Sequence, residues 1–387
     1  MKYLSSDEKV LYHSPAPEGI YCYTPWICHG LNGRIFVSFD LSGPQLSELD
    51  GPKSDSGDFG SNQCHVMYSD DRGETWTPCA KLPMLHARVF TAGKNVYVLG
   101  HSGRMSIVVS KDNGLTWSDV SVLDSDMVWH QSGCAIDYRH GKIYLTMERE
   151  PYADHWAGGD PVLMSADVNA DLTKRSSWTF SNLMKFQEHG AFVNTSPVSI
   201  SAECWLESNV VRIHDPAHCF YDPEDRTVLL FMRVHGCAQY TAVLAGKEKP
   251  DGSLQLETLK REDGSSMIFF PFPGGHMKFH IIYDEKDSLY WMVASHVETL
   301  STAPCSERRV LGLYASRNLF DWQLTGIVSA GEERICSRHY ASLMIDGDDI
   351  LVASRSGDKE AKNVHDTDMI TLHRVRDFRS LALKWVD

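Results

Sequence analysis

Three arginines recur in similar settings along the chain: Arg149 in Met-Glu-Arg, Arg233 in Met-Arg-Val and Arg355 in Ala-Ser-Arg, each at the end of a short apolar run. A guanidinium presents a rigid fork of donors that fits a carboxylate bidentately. Three brought to one place form a clamp for an acidic group; three paired with local Asp or Glu do not. His86 and His130 each open a strand-like run, and an imidazole at a pocket mouth is suited to proton transfer near neutral pH. Glu148 and Glu207 are the matching carboxylates, and paired carboxylates are the usual engine of glycoside hydrolysis. These four are the candidate catalytic residues. Arg88, His101, Trp129, His276, Lys278, His339 and Tyr340 occupy comparable positions and join the three arginines as candidate substrate contacts. No HExxH spacing and no phosphate-cradling glycine loop occurs, so neither a metal nor a cofactor is expected.

Such residues need a scaffold that brings distant segments to one point. Helical periodicity is nearly absent. β-rich runs recur instead at 34–40, 95–100, 142–147, 227–234, 289–294 and 349–354, most of them preceded by a Gly, Asn or Asp turn. The repeat of roughly 45–90 residues fits one four-stranded blade per unit, which points to a β-propeller. Six units are expected, at about 24–81, 82–124, 125–200, 201–262, 263–330 and 331–387, with seven as the alternative. The segment Lys9–His13 is expected to complete the last blade and close the ring, which removes the exposed edges. No linker divides the chain, so residues 1–387 read as one all-β domain. In a propeller the starts of inner strands and the ends of second strands meet at the axis. That places the candidates at one mouth, with polar loops at 41–62, 150–160 and 186–200 around it.

Composition narrows the partners. The 387 residues are 42% hydrophobic and 23% charged, an ordinary globular balance, and the formal net charge is −14. That charge argues against nucleic acid, which needs a basic surface. A pocket of arginines still accommodates an anionic substrate. No run approaches the apolar length of a membrane span. The N-terminus lacks the apolar core of a signal peptide, so a cytoplasmic location is expected. The ten cysteines are scattered without a CxxC pair and read as reduced thiols.

Two segments match Ser-x-Asp-x-Gly-x-Thr-Trp at every fixed position: Ser69, Asp71, Gly73, Thr75 and Trp76, then Ser110, Asp112, Gly114, Thr116 and Trp117. Degenerate copies occur at Ser165, Asp167 and Trp178, and at Ser316, Asn318, Asp321 and Trp322. This is the Asp-box pattern, and through it the chain resembles sialidase-superfamily propellers. The box is structural in that family, so the resemblance implies fold more strongly than chemistry. The segments 272–291, 346–355, 365–374 and 205–211 look like those of bacterial sialidase-like propellers acting on plant or algal polysaccharides, a group with rhamnose–glucuronate hydrolases and ulvan-type lyases. Where sialidases carry Arg-Ile-Pro on the first inner strand, this chain reads Tyr23-Thr24-Pro25-Trp26. The ulvan-type Tyr and Arg spacing is also absent, so neither catalytic set carries over intact. The resemblance implies an exo-acting glycoside hydrolase for a glycan with a carboxylated sugar, uronic or sialic acid-like. A polysaccharide lyase acting by β-elimination on a uronate, and a non-catalytic sugar-binding propeller, are the alternatives.

Overall fold

A computed structural model describes residues 3–55, 60–130, 134–151, 158–189, 203–236, 239–298 and 304–382. The expected loops at 150–160 and 186–200 lie largely outside these residues. Among the described residues there is no α-helix, only short 3₁₀ turns, and no helix long and apolar enough to cross a membrane. The described cysteines are free thiols.

The architecture is an all-β propeller with four-stranded blades. Antiparallel meanders repeat along the chain: Tyr21–His29, Ile35–Ser42, Ser61–Ser69 and Thr77–Leu82 form the first, and His280–Asp284, Leu289–Ser295, Val310–Ser316 and Gln323–Ala330 a later one. The last meander, Arg338–Asp346, Asp349–Ser356 and Met369–Val375, takes its fourth strand from Glu8–His13 near the N-terminus, as expected. Inner strands touch in succession, and Tyr21–His29 lies against both Leu85–Ala92 and Arg338–Asp346, which closes the circle.

The sheets do not divide six ways. Strand pairing yields five, because one sheet of eight strands runs from Leu85–Ala92 to Thr179–Phe180. The cause is the strand Ser121–His130. It pairs with Gly103–Ser110 from Ser121 to Asp124 and again at Trp129 opposite Gly103, and its last two residues also pair with Lys142–Arg149, Trp129 opposite Arg149 and His130 opposite Glu148.

The apolar residues gather into six clusters, each between two successive meanders. Phe231, Val243, Phe279 and Tyr290 bridge one such gap, and Trp291, Leu313, Leu343 and Val352 the next. Each side chain so buried contributes roughly 1.5–3 kcal/mol. This packing holds the inner strands rigidly around the axis.

The two Ser-x-Asp-x-Gly-x-Thr-Trp segments are closed hairpin turns. Asp71 accepts from the Ser69 hydroxyl at 2.7 Å and from the Thr75 amide at 2.8 Å, while the Gly73 amide donates to Ser69 Oγ at 2.8 Å. Asp112, Thr116, Ser110 and Gly114 repeat the pattern. Trp76 and Trp117 are partly buried, each indole packed against an apolar cluster between two meanders. Gly114 has φ +91°, and a Cβ there would stand 2.5 Å from the Phe36 ring. Gly114→Ala is therefore expected to cost about 2 kcal/mol or more, read as a lower denaturant midpoint at unchanged slope.

Hydrogen bonds from the Thr side chain, the Thr amide and the Ser hydroxyl lower both turn aspartates to about 2. A carboxyl depressed on folding stabilises above its unfolded pKa of about 3.9 and loses that contribution as pH falls toward the folded value. An acid limb of stability between about pH 4 and pH 2 is expected, and Asp71→Asn with Asp112→Asn should flatten it in acid melts.

Candidate functional site

Four inner strands slip register near their start; in Tyr21–His29 the slip lies between Tyr23 and Trp26 with no left-handed residue, and the other three share one irregularity. The register slips between Leu85 and Arg88, between Leu206 and Asn209, and between His339 and Ser342. At each slip one residue adopts a left-handed backbone: His86 at φ +50°, Glu207 at +60° and Tyr340 at +52°. A β-bulge re-aims a side chain, and a non-glycine residue held at positive φ is a mark of functional sites. Each is followed by a small residue, Ala87, Ser208 or Ala341. All three line one cavity of about 500 Å³.

Tyr340 and Glu207 stand at its centre. The Tyr340 hydroxyl donates to Glu207 Oε1, and Arg233 Nη1 donates to Tyr340 Oη at 2.6 Å and to the Glu207 oxygens at 3.3 and 3.4 Å. Arg233 is fixed from behind by Nε donating to the His276 carbonyl at 2.8 Å. Two more guanidiniums face the same phenol. Arg355, Arg308 and Arg233 lie 5.2, 5.6 and 5.9 Å from its ring centroid. Burial raises the Tyr340 phenol well above its ordinary range, against the pull of Arg233, so it stays neutral until a base takes its proton.

Arg308 and Arg355 are almost fully buried, and neither has a carboxylate within ion-pair distance among the described residues. Arg308 donates to the Cys305 carbonyl at 2.6 Å and contacts His339 Nδ1 at 3.2 Å. Arg355 bonds the His365 carbonyl and stacks 4.1 Å over the Tyr23 ring. Burial lowers the pKa of both but leaves them cationic at neutral pH. Buried cations without a counter-charge are costly, and an anionic ligand offsets that cost.

The other expected residues fall into three groups. His86 and His130 line the cavity, with His101 behind them, and Arg233, Arg355, Glu207 and Tyr340 line it too. Glu148 is fully buried, accepts the Ser208 amide at 2.9 Å and lies 3.8 Å from His130. Burial opposes the charged form of His130, but the Glu148 carboxylate outweighs it and raises the imidazole pKa.

The remainder support the walls. Arg88 donates to the carbonyls of Cys134 and Thr146, and Lys278 to those of Tyr340 and Ala341. His276 contacts the Glu307 carbonyl, His339 meets Arg308, and Trp129 is core against Phe180. These five do not line the cavity, because their polar ends are consumed by backbone or by neighbours. Arg149 does not line it either, which corrects the expected clamp. Glu148 turns toward the next inner strand, so its strand neighbour Arg149 must leave from the other face.

Arg308, Tyr23 and His365 line the same cavity and are not among the candidates legible in the sequence. Arg308 follows a 3₁₀ turn, Pro304–Ser306, outside any periodic run. His365 Nδ1 lies 2.7 Å from Asp366 Oδ1, and Asp366 also accepts the Tyr23 hydroxyl at 2.6 Å.

No protein-family model matches the chain, and no curated protein matches its sequence. Solved structures do. An α-L-arabinanase of Penicillium chrysogenum in complex with arabinobiose superposes with a TM-score of 0.55 at 10% identity over 97% of this chain and 99% of that one. A Trypanosoma rangeli sialidase in complex with sialic acid gives 0.57 at 14% identity over 98% of this chain and 60% of its own length. A NanB sialidase variant of Streptococcus pneumoniae gives 0.56 at 9% identity over 95% and 70%. The chain is thus a β-propeller of the kind these glycoside hydrolases use, and it spans about three-fifths of the trypanosomal sialidase. At these identities the likeness is one of fold.

Proposed function

We propose that this chain is an exo-acting glycoside hydrolase that removes a terminal carboxylated sugar, uronic or sialic acid-like, from a glycan. The observation that carries the reading is the set of three guanidiniums within 6 Å of one phenol that is hydrogen-bonded to a buried carboxylate. Arg308 and Arg355 take the sugar carboxylate as the counter-ion they lack. A carboxylate nucleophile would be repelled by such a substrate, whereas a neutral phenol is not. Tyr340 therefore attacks the anomeric carbon as Glu207 removes its proton, and Arg233 stabilises the charge on Oη. Sialidases use a tyrosine nucleophile in this way.

His365, oriented by Asp366 at the cavity lip, protonates the leaving oxygen and then activates water for the second step. Burial and the charge of Arg355 lower its pKa to about 4 in the free protein. A bound carboxylate offsets that charge and raises it. A cavity of about 500 Å³ lies in the range of small-ligand sites, which suits a terminal sugar.

The blade count belongs to the same reading. Six apolar clusters between successive meanders, and a crossover of two residues joining the halves of the eight-stranded sheet, support six blades.

A second reading is β-elimination on a uronate. It is favoured by His86, which burial holds neutral on the cavity wall, the form a base needs. One experiment separates the two. Oligosaccharides ending in uronic, sialic or neutral sugars are assayed for released sugar and for the ultraviolet absorbance of a new C4–C5 double bond. Release of an acidic sugar without that absorbance is expected. The absorbance would establish the lyase, and release of neutral sugars alone would overturn the clamp.

A further inference from the structure

The wall formed by His86 and His130 has a feature that the proposed hydrolysis does not use. His86 opens the strand Leu85–Ala92, His101 ends the strand Asn95–His101, and His130 ends Ser121–His130. Three strands thus bring three imidazoles together. His86 Nδ1 is 3.0 Å from His101 Nε2, and ring centroids are 4.7 Å apart for His86 and His130, and 5.3 Å for His101 and His130. One nitrogen from each ring lies within 4.8 Å of the other two. In a tetrahedral site with metal–nitrogen bonds of about 2.0–2.1 Å, ligand nitrogens stand about 3.3 Å apart, so small ring rotations suffice.

From this geometry we infer that His86, His101 and His130 form a three-histidine site for a divalent transition metal of the zinc class, with its fourth position open to the cavity. Imidazole nitrogens select zinc, copper, nickel or iron over calcium and magnesium, which prefer oxygen. Three histidines with one open position is an arrangement of catalytic zinc. The surroundings are suited to a cation. Glu148 lies 3.8 Å from His130 Nδ1, where a second-shell carboxylate orients a metal-bound ring. The buried carboxylate of Asp40 accepts the Ala87 amide at 3.3 Å, next to His86. Arg355 lines the same cavity and adds positive charge, which a bound substrate carboxylate would neutralise. The inference does not depend on the hydrolase reading.

The test uses the full chain, stripped with a chelator and titrated with Zn²⁺ by calorimetry and with Co²⁺ by visible absorption. One equivalent is expected, with the intense d–d bands of four-coordinate Co²⁺ and a melting temperature that rises with added Zn²⁺. His86→Asn, on the cavity wall, and His101→Ala, behind it, should each weaken binding by about 100-fold or more. Glu148→Gln should weaken it by about 10- to 100-fold. Melting curves without metal show whether each variant is folded, and His86→Asn serves if His101→Ala is not. Equal Zn²⁺ affinity in wild type and both histidine variants would overturn the site. So would binding weaker than millimolar in the wild type, or binding abolished by His13→Asn, which belongs to a second group formed by exposed His13, Asp358 and buried Asp368. None of these readouts uses glycan cleavage, so failure of the metal site and failure of the hydrolase are distinguishable.

Discussion

Tyr340→Phe is expected to lower kcat on the acidic-sugar substrate by on the order of 10³-fold or more, the scale seen when a nucleophile is removed. KM should stay the same or fall. The variant keeps the ring that Arg233, Arg308 and Arg355 surround and removes only Oη. The clamp therefore survives while the attacking atom is gone. Arg233 and Glu207 lose a shared partner but still meet each other at 3.3 Å, so the fold should lose only about 1–3 kcal/mol. Glu207→Gln should act on the same step, because an amide cannot take the phenol proton. A fluorinated substrate that slows the second step should leave a sugar mass on the peptide containing Tyr340. If kcat for Tyr340→Phe falls less than tenfold, the phenol is not the nucleophile. The burden then passes to the lyase reading with His86 as base.

The sequence carried the fold more openly than the site. Strand-length apolar runs with turn residues between them mark the meanders, and the Ser-x-Asp-x-Gly-x-Thr-Trp turns close as hydrogen-bonded hairpins. The division into sheets was not legible, because it depends on two residues of one strand, Trp129 and His130, pairing across to the next meander. Glu207, His86 and Tyr340 were found as strand-start residues, but the reason they converge is a bulge with left-handed backbone at each. The recurring signal is a polar or aromatic residue followed by a small one near the start of an inner strand, as in Leu-His-Ala, Leu-Glu-Ser and His-Tyr-Ala. Arg149 misled because residue type and strand position matched while strand parity did not. Arg308 was missed because it lies in irregular chain before a strand, where periodicity says nothing.

The arginines provide the second large effect. Arg308→Lys and Arg355→Lys are each expected to raise KM for the acidic substrate by about 10²-fold, because an ammonium cannot reproduce the guanidinium fork. The effect should be selective. A substrate in which the sugar carboxylate is esterified or reduced to an alcohol should bind the wild type poorly and the two variants no worse. The physical reason is how the two side chains are held. Arg308 and Arg355 are held almost fully buried by carbonyls, a histidine and aromatic faces, with no carboxylate within ion-pair distance among the described residues. The scaffold tolerates this because the packed inner strands leave the two side chains no other place to go. The carboxylate that completes them therefore binds with energy already committed by the fold. Arg308→Met and Arg355→Met should each melt at the same temperature as the wild type or higher, since replacing an unpaired buried charge by an apolar side chain removes its desolvation cost. Stability that rises while affinity for the acidic sugar collapses would identify the arginines as ligand-binding groups. Stability and affinity falling together would make them structural, and the clamp would then rest on Arg233 alone.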